Sequence, residues 1–231
     1  MLETTNLNIF YGDSHVVRDV SFLIPEGKIV CLMGRNGVGK TTVMKTLMGL
    51  LPARGGRITF GGQDITNLRP YFRARSGIGY APQGREIIPN LTVEENLLIG
   101  LEAKSNGSRV LPPRIFELFP ALKTMLGRRG GDLSGGQQQQ LSIGRALASE
   151  PKLLLLDEPT EGIQPSIIKE IVHVIKKLKE QGGLSIFVVE QFVSFVRSAG
   201  DYFYIMEKGA IAAEGPVPNL SDDLIRKHLA V

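Results

Sequence analysis

The stretch GRNGVGKTT, Gly34 to Thr42, groups glycines, a lysine and two threonines in a pattern that suits a polyphosphate. It matches G-x-x-x-x-G-K-[ST], the P-loop, which arises by chance in a chain of this length roughly once in a hundred sequences. Gly34, Gly37 and Gly39 let the backbone curl, so that successive N–H groups through Arg35, Asn36 and Val38 point at phosphate oxygens. Lys40 supplies a point charge for the outer phosphates and Thr41 a hydroxyl for Mg2+, while a helix running on through Thr42 adds its positive end. A second group of chemistry-bearing residues ends the run LLLLDE. There Asp157 can orient the water shell of a metal, and Glu158 can polarise a water for attack.

These residues need elements to hold them. The opening third reads as strands: LETTNLNIF, VVRDVSFLI and, after a PEGK turn, the apolar IVCLM, which runs straight into the glycine loop. Good helix formers fill Lys40 to Met48, Gly49 closes that helix, and RITF before GGQ predicts a strand entering a turn. From about Tyr71 to Arg129 the pattern turns helical, in TVEENLLIGLEA and PPRIFELF, with KSNGSR and GRRGG as joints, which predicts a helical insert. QQQQLSIGRALA predicts a helix with Gln138 to Gln140 on its polar face, and KLLLLDE a buried strand. SIIKEIVHVIKKLKE predicts an amphipathic helix with Ile167, Ile168, Ile171, Val172, Ile175 and Leu178 on one face and His173 on the solvated lysine side. LSIFVVE, DYFYIME and AIAAE predict further strands, the last two meeting at Lys208-Gly209, and DDLIRKHL a closing helix. Uncharged strands alternating with helices predict a mainly parallel sheet covered on both faces, with ligands at the strands' carboxyl ends.

A chain of 231 residues, 42% of them hydrophobic, suits one compact domain or one domain with a small insert. Apolar runs such as Ile29 to Met33 and Tyr202 to Met206 fall far short of the roughly 20 residues of a spanning helix, and MLETTN does not resemble a signal peptide. A cytosolic location is expected. The lone Cys31 leaves no partner for an internal disulfide and no thiolate metal cage, and its apolar strand predicts a small core residue. The net charge of +4 is spread along the chain, so charge alone neither demands nor excludes nucleic acid.

LSGGQ, Leu133 to Gln137, stands directly before a predicted helix and ahead of the acidic strand. Five specified residues arise by chance in about one chain in several thousand. With the P-loop, the LLLLDE strand and Gln83 in YAPQGRE, this motif resembles the nucleotide-binding subunit of ATP-binding cassette (ABC) transporters across essentially the whole chain. The resemblance implies a single ABC ATPase domain over residues 1–231. Its fold would be an α/β P-loop NTPase core with a mainly parallel sheet, an N-terminal antiparallel β-subdomain and an inserted α-helical subdomain at about 85–145. The same resemblance implies ATP and Mg2+ as ligands and ATP hydrolysis as the activity. Tyr11 would stack on adenine, and Thr41, Gln83 and Asp157 would face the metal. Lys40, Gln83, Glu158 and Gln191 would form the catalytic group, with Gln83 linking the site to the insert.

In that family two domains pack head to tail, so Ser134, Gly135, Gly136 and Gln137 would cap the γ-phosphate held by the P-loop of the other domain. One chain then carries two half-sites. The implied partners are a second ATP-binding subunit, integral membrane permease subunits and, through them, a periplasmic solute-binding protein, with no nucleic acid. The implied location is the cytoplasmic face of a bacterial inner membrane.

Two positions depart from the family pattern. VVEQF places Gln191 where a histidine is usual; its amide can donate but carries no charge and takes no proton, which leaves Glu158 as the base. EGIQ, Glu161 to Gln164, replaces the common Ala-Leu-Asp pattern, so Gln164 lacks the acid that communicates across the dimer. Both departures resemble the second of two ATPases in importers of the branched-chain amino acid type. A heterodimer in the cell is expected, with a homodimer of the isolated chain left open.

Within that group YGDSHVVRDVSF, CLMGRNGVGKTT, GIGYAPQGREIIPNLTVEENLLIGLEA and LSGGQQQQLSIGRALA resemble the ATPase of urea importers, whose relatives serve branched-chain amino acids or short amides. The surface near Arg85, Glu86 and the TVEEN helix would dock on the membrane subunits. A soluble ABC ATPase of iron–sulfur assembly is the alternative class. Chromosome and translation members need long coiled coils or two linked cassettes, and 231 residues hold neither. A GTPase or small-molecule kinase predicts an N-K-x-D motif or a substrate lid; the motif is absent and LSGGQ has no role in either.

Overall fold

Alternating inward residues start the fold in a computed structural model that describes residues 1–104, 107 and 109–229. Ser105, Asn106 and Ser108 of the predicted KSNGSR joint lie outside the described residues. Strands β1 (Leu2–Tyr11) and β2 (Ser14–Ile24) form an antiparallel hairpin that turns Leu7, Ile9, Val20 and Phe22 inward. The next strand, β3 (Ile29–Gly34), is buried along its whole length and gives way at Gly34 to the P-loop and helix α1 (Lys40–Met48). With β4 (Gly55–Phe60) and β5 (Gln63–Asp64) the hairpin completes a four-stranded sheet of order β2-β1-β4-β5.

Helix α2 (Pro70–Ser76) then leads into β6 (Ile78–Ala81). The insert supplies α3 (Val93–Gly100), α4 (Arg114–Leu118), α5 (Pro120–Thr124) and α6 (Gly135–Leu147). Strand β7 (Leu153–Asp157), α7 (Pro165–Glu180), β8 (Ser185–Glu190), α8 (Val193–Ala199), β9 (Tyr202–Glu207), β10 (Ala210–Pro216) and α9 (Asp222–His228) complete the chain. The second sheet has the order β10-β9-β3-β8-β7-β6, parallel from β9 to β6, with β10 antiparallel at its edge. The parallel strands β3, β8, β7 and β6 therefore end on one edge, where Gly34, Glu190, Asp157 and the approach to Gln83 meet.

Period-two packing divides the core. Cys31, Leu154, Leu156, Ile186 and Val188 face the helices α6, α7 and α8, while Val30, Leu32, Leu153, Leu155 and Phe187 face α1 and the antiparallel sheet. Cys31 is fully buried, and that burial pushes its thiol well up, so it packs and does not react. On α7, Ile171, Ile175 and Leu178 are buried, Ile167, Ile168 and Val172 are half-buried, and His173 is exposed as its lysine neighbours predict. The buried guanidinium of Arg73 fixes the far end of α1, donating to the carbonyls of Thr46 at 2.7 Å and Leu47 at 2.8 Å.

The structure differs from the sequence reading in three places. The run read as helical from Tyr71 contains β6, which α2 releases at Gly77 with φ 109° and which pairs in parallel with β7. At Gly79 in β6 a Cβ would lie 2.8 Å from the carbonyl oxygen of Ala146, so only glycine lets the strand pass beneath the end of α6. Secondly, α8 carries no strong sequence signal; Phe195 and Val196 pack its seven residues, about two turns, into the core. Thirdly, Gln139 and Gln140 are buried and not on a polar face, and the Gln140 amide donates to Glu170 at 2.9 Å. Among the described residues no helix is long and apolar enough to cross a membrane.

Candidate functional site

Lys40 opens α1 and folds back over the loop that precedes it. Its Nζ donates to the carbonyls of Gly34 at 2.9 Å and Arg35 at 3.0 Å and pairs with Glu158 at 3.3 Å, both side chains being buried. Gly39 holds φ 107° and Gly37 φ 79°, the left-handed values that the curled loop requires. A cavity of about 250 Å3 over this loop is lined by Asn36, Gly37, Lys40, Thr41, Thr42 and Gln83, with Val16, Gly39 and Glu158 completing it. That volume takes a polyphosphate tail and leaves the rest of a nucleotide outside.

The acidic strand end meets the loop from β7. Thr41 donates through its hydroxyl to Asp157 at 3.2 Å and to the side-chain carbonyl of Gln83 at 3.4 Å. Those three oxygen donors are the set expected to face a metal. Among the described residues no three His, Cys, Asp or Glu side chains form a cage, so the protein supplies only part of a shell of hard oxygens. Such a part-shell fits Mg2+, which keeps water and phosphate oxygens around it.

Glu158 sits in the left-handed region at φ 47°, held by its N–H to the Val189 carbonyl at 2.9 Å. The amides of Gln83 and Gln191 donate to its two carboxylate oxygens, at 3.3 Å and 2.9 Å. Gln191 also donates to the Asn36 side chain at 2.6 Å, joining the loop after β8 to the P-loop. An amide held this way keeps the carboxylate aimed, which a proton acceptor needs.

Burial pushes Asp157 up to about 6, against hydrogen bonds from Thr41 and Tyr80 and the nearby Lys40 charge. A carboxyl raised by folding contributes stability that is fully present below about pH 4 and is lost as pH rises through about 6. Asp157→Asn is therefore expected to stabilise the nucleotide-free chain by about 3 kcal/mol at pH 8 and by nothing at pH 3.5. Calorimetric melts at the two pH values measure this; a lower Tm for the variant at pH 8 would contradict the burial argument.

Ser134, Gly135, Gly136 and Gln137 open α6 away from this cavity and line none of it. Ser134 is exposed, accepts from the Gln137 N–H at 3.3 Å and has its own N–H taken by the Gln137 side chain at 3.0 Å, a reciprocal capping box. At Gly136 a Cβ would lie 2.9 Å from Ile167, and at Gly135 one would lie 3.0 Å from the Arg85 guanidinium. The glycines thus let α6 start against α7 and Arg85. Tyr11 ends β1, paired across the turn with Ser14, is 48% exposed and does not line the cavity, whereas Val16 on the next strand does.

The geometry adds residues to which the sequence reading gave no role at the site. Tyr80 donates to Asp157 at 3.3 Å, and Glu161 accepts from Gln83 at 2.9 Å. Glu190 is buried and accepts from the Thr160 hydroxyl and N–H and from the Gln191 N–H, with burial pushing its carboxyl up. Its signal in the sequence is an acid ending an otherwise uncharged strand.

A parallel sheet whose strand ends gather a P-loop, a buried acidic pair and a bridging glutamine defines a P-loop nucleoside triphosphatase. The family model described as ABC transporter matches residues 17–161, and the chain belongs to this family. It is an ATP-binding, ATP-hydrolysing subunit of an ABC transporter. It is 40% identical over 212 residues to the high-affinity branched-chain amino acid transport ATP-binding protein BraG of Pseudomonas aeruginosa, covering 91% of each chain. It is 36% identical to the probable branched-chain amino acid transport ATP-binding protein LivF of Archaeoglobus fulgidus, covering 95% of this chain and 94% of that one. A solved dimeric ATP-binding cassette in a post-hydrolysis state, bound to ADP and Pi, superposes with a TM-score of 0.85 at 27% identity, covering 94% of this chain and 99% of the other.

Proposed function

We propose that this chain powers an importer of the branched-chain amino acid type, with Glu158 as the base, and that its solute is urea. The observation that carries the catalytic reading is the ring of contacts among Lys40, Thr41, Gln83, Asp157, Glu158 and Gln191 at one sheet edge.

Without a triphosphate, Lys40 neutralises Glu158. An entering γ-phosphate competes for Lys40, and the released carboxylate can then draw a proton from water. Gln83 and Gln191 hold that carboxylate in line, and the P-loop amides take the charge that develops on the phosphate oxygens. Thr41, Asp157 and Gln83 would hold Mg2+, which when bound offsets phosphate charge. The exposed, capped start of α6 supplies the complementary half-site: a serine hydroxyl and free helix N–H groups turned toward a second cassette.

Gln191 acts by orientation, so Gln191→Ala is expected to lower ATP hydrolysis about tenfold, far less than loss of Glu158. Steady-state phosphate release checks the ranking, and a larger loss from Gln191→Ala would reverse the two roles.

Support for the importer type comes from the two relatives, whose names give branched-chain amino acid transport. Urea rests on the motif stretches around Tyr11, the P-loop, Gln83 and LSGGQ. Exposed Tyr71, Phe72 and Ile99 with Arg75 offer a surface on α2 and α3 for permease subunits, near the Arg85 and TVEEN region. Deletion of the coding sequence followed by uptake of labelled urea and leucine tests the solute. Loss of urea uptake alone supports the reading; loss of leucine uptake alone transfers the subunit to amino-acid import.

A further inference from the structure

On the face away from the nucleotide cavity, α4, the end of α6 and the turn between α7 and β8 enclose a cavity of about 240 Å3. Ile115, Leu118, Leu147 and Leu184 make its walls apolar, and Arg114 and Lys152 bring positive charge to it. Arg114 is held in place by a 2.7 Å bond from its Nε to the Gln181 side chain, a neutral acceptor. Its Nη2 is buried and has no hydrogen-bond partner among the described residues. Glu150 also borders the cavity, but its carboxylate is engaged by Lys104 and is largely exposed.

A buried guanidinium nitrogen without a partner costs free energy. An anion whose other end is apolar satisfies both the charge and the walls. The volume is below the roughly 300 Å3 at which drug-sized pockets begin, yet above the roughly 150 Å3 that admits a benzene-sized guest. A phosphate dianion would need more donors than one free Nη and one lysine supply. We propose that this cavity binds a small aliphatic monocarboxylate, with Arg114 taking the carboxylate and the leucine and isoleucine walls taking the tail.

Leu147 ends the helix that Ser134 begins, so the ligand would touch the far end of α6, about 20 Å from the exposed serine. The assignment is independent of the catalytic reading, since none of these residues lines the P-loop cavity.

The test titrates the full-length chain, labelled at isoleucine and leucine methyls, with 3-methylbutanoate, 3-methylbutylamine and inorganic phosphate. Saturable shifts of the Ile115, Leu118, Leu147 and Leu184 methyls with the carboxylate alone support the proposal, as does a Kd at least tenfold weaker in Arg114→Met. Equal binding of phosphate or of the amine, wild-type affinity in Arg114→Met, or no saturable shift at all would overturn it, the last leaving water as the occupant. Arg114→Lys keeps the charge and loses the planar fork, so it reads out the contact if the methionine variant folds poorly. Weakened binding there supports the assignment, and unchanged affinity overturns it.

Discussion

Glu158→Gln is expected to lower ATP hydrolysis by about 10²- to 10³-fold while leaving ATP binding intact. The amide keeps the shape of the side chain and one of the two bonds that Gln83 and Gln191 donate, its NH2 facing the other donor, and it takes no proton from water. It also removes the carboxylate that pairs with Lys40, and a triphosphate no longer has to displace that contact. ATP affinity should therefore rise, and cassettes closed around ATP should accumulate. Phosphate release, nucleotide binding and size-exclusion chromatography with ATP measure the three outcomes. Hydrolysis within threefold of wild type would remove Glu158 from the role of base.

Ser134→Asp should be nearly as damaging, for a different reason. Aspartate is as good an N-cap as serine, so α6 and the melting temperature of the isolated chain should be unchanged. The added carboxylate, however, stands where a γ-phosphate held by another cassette would approach, and like charges at that range repel. Hydrolysis should fall about 10²-fold with ATP binding to the P-loop unaltered, because Ser134 does not line that cavity. Full activity in this variant would mean that the exposed start of α6 takes no part in the reaction.

The sequence carried most of the sheet and the loop chemistry because both are written in local rules. IVCLM before GRNGVGKTT names a strand, a turn and a helix by apolarity and glycine placement, and β3 and α1 lie there. LLLLDE gives both the strand and the acids at its end. Strand β6 escaped because four residues with a central glycine have no period to detect; a parallel neighbour far along the chain makes them a strand. Gln139 and Gln140 misled because polar type was read as exposure, whereas both are buried and the Gln140 amide finds Glu170 on α7. Tyr80 and Glu190 escaped since their roles exist only where separate strands end side by side. The carboxylate joining Thr160 to Gln191 is a matter of three-dimensional register alone.

That last carboxylate ties two loops together. Glu190 holds Thr160, two residues beyond Glu158, and the backbone N–H groups of Gln191 and Phe192 in a single buried knot. Phe192 is half-exposed, so one buried carboxylate joins a ring at the surface to the loop that carries Glu158.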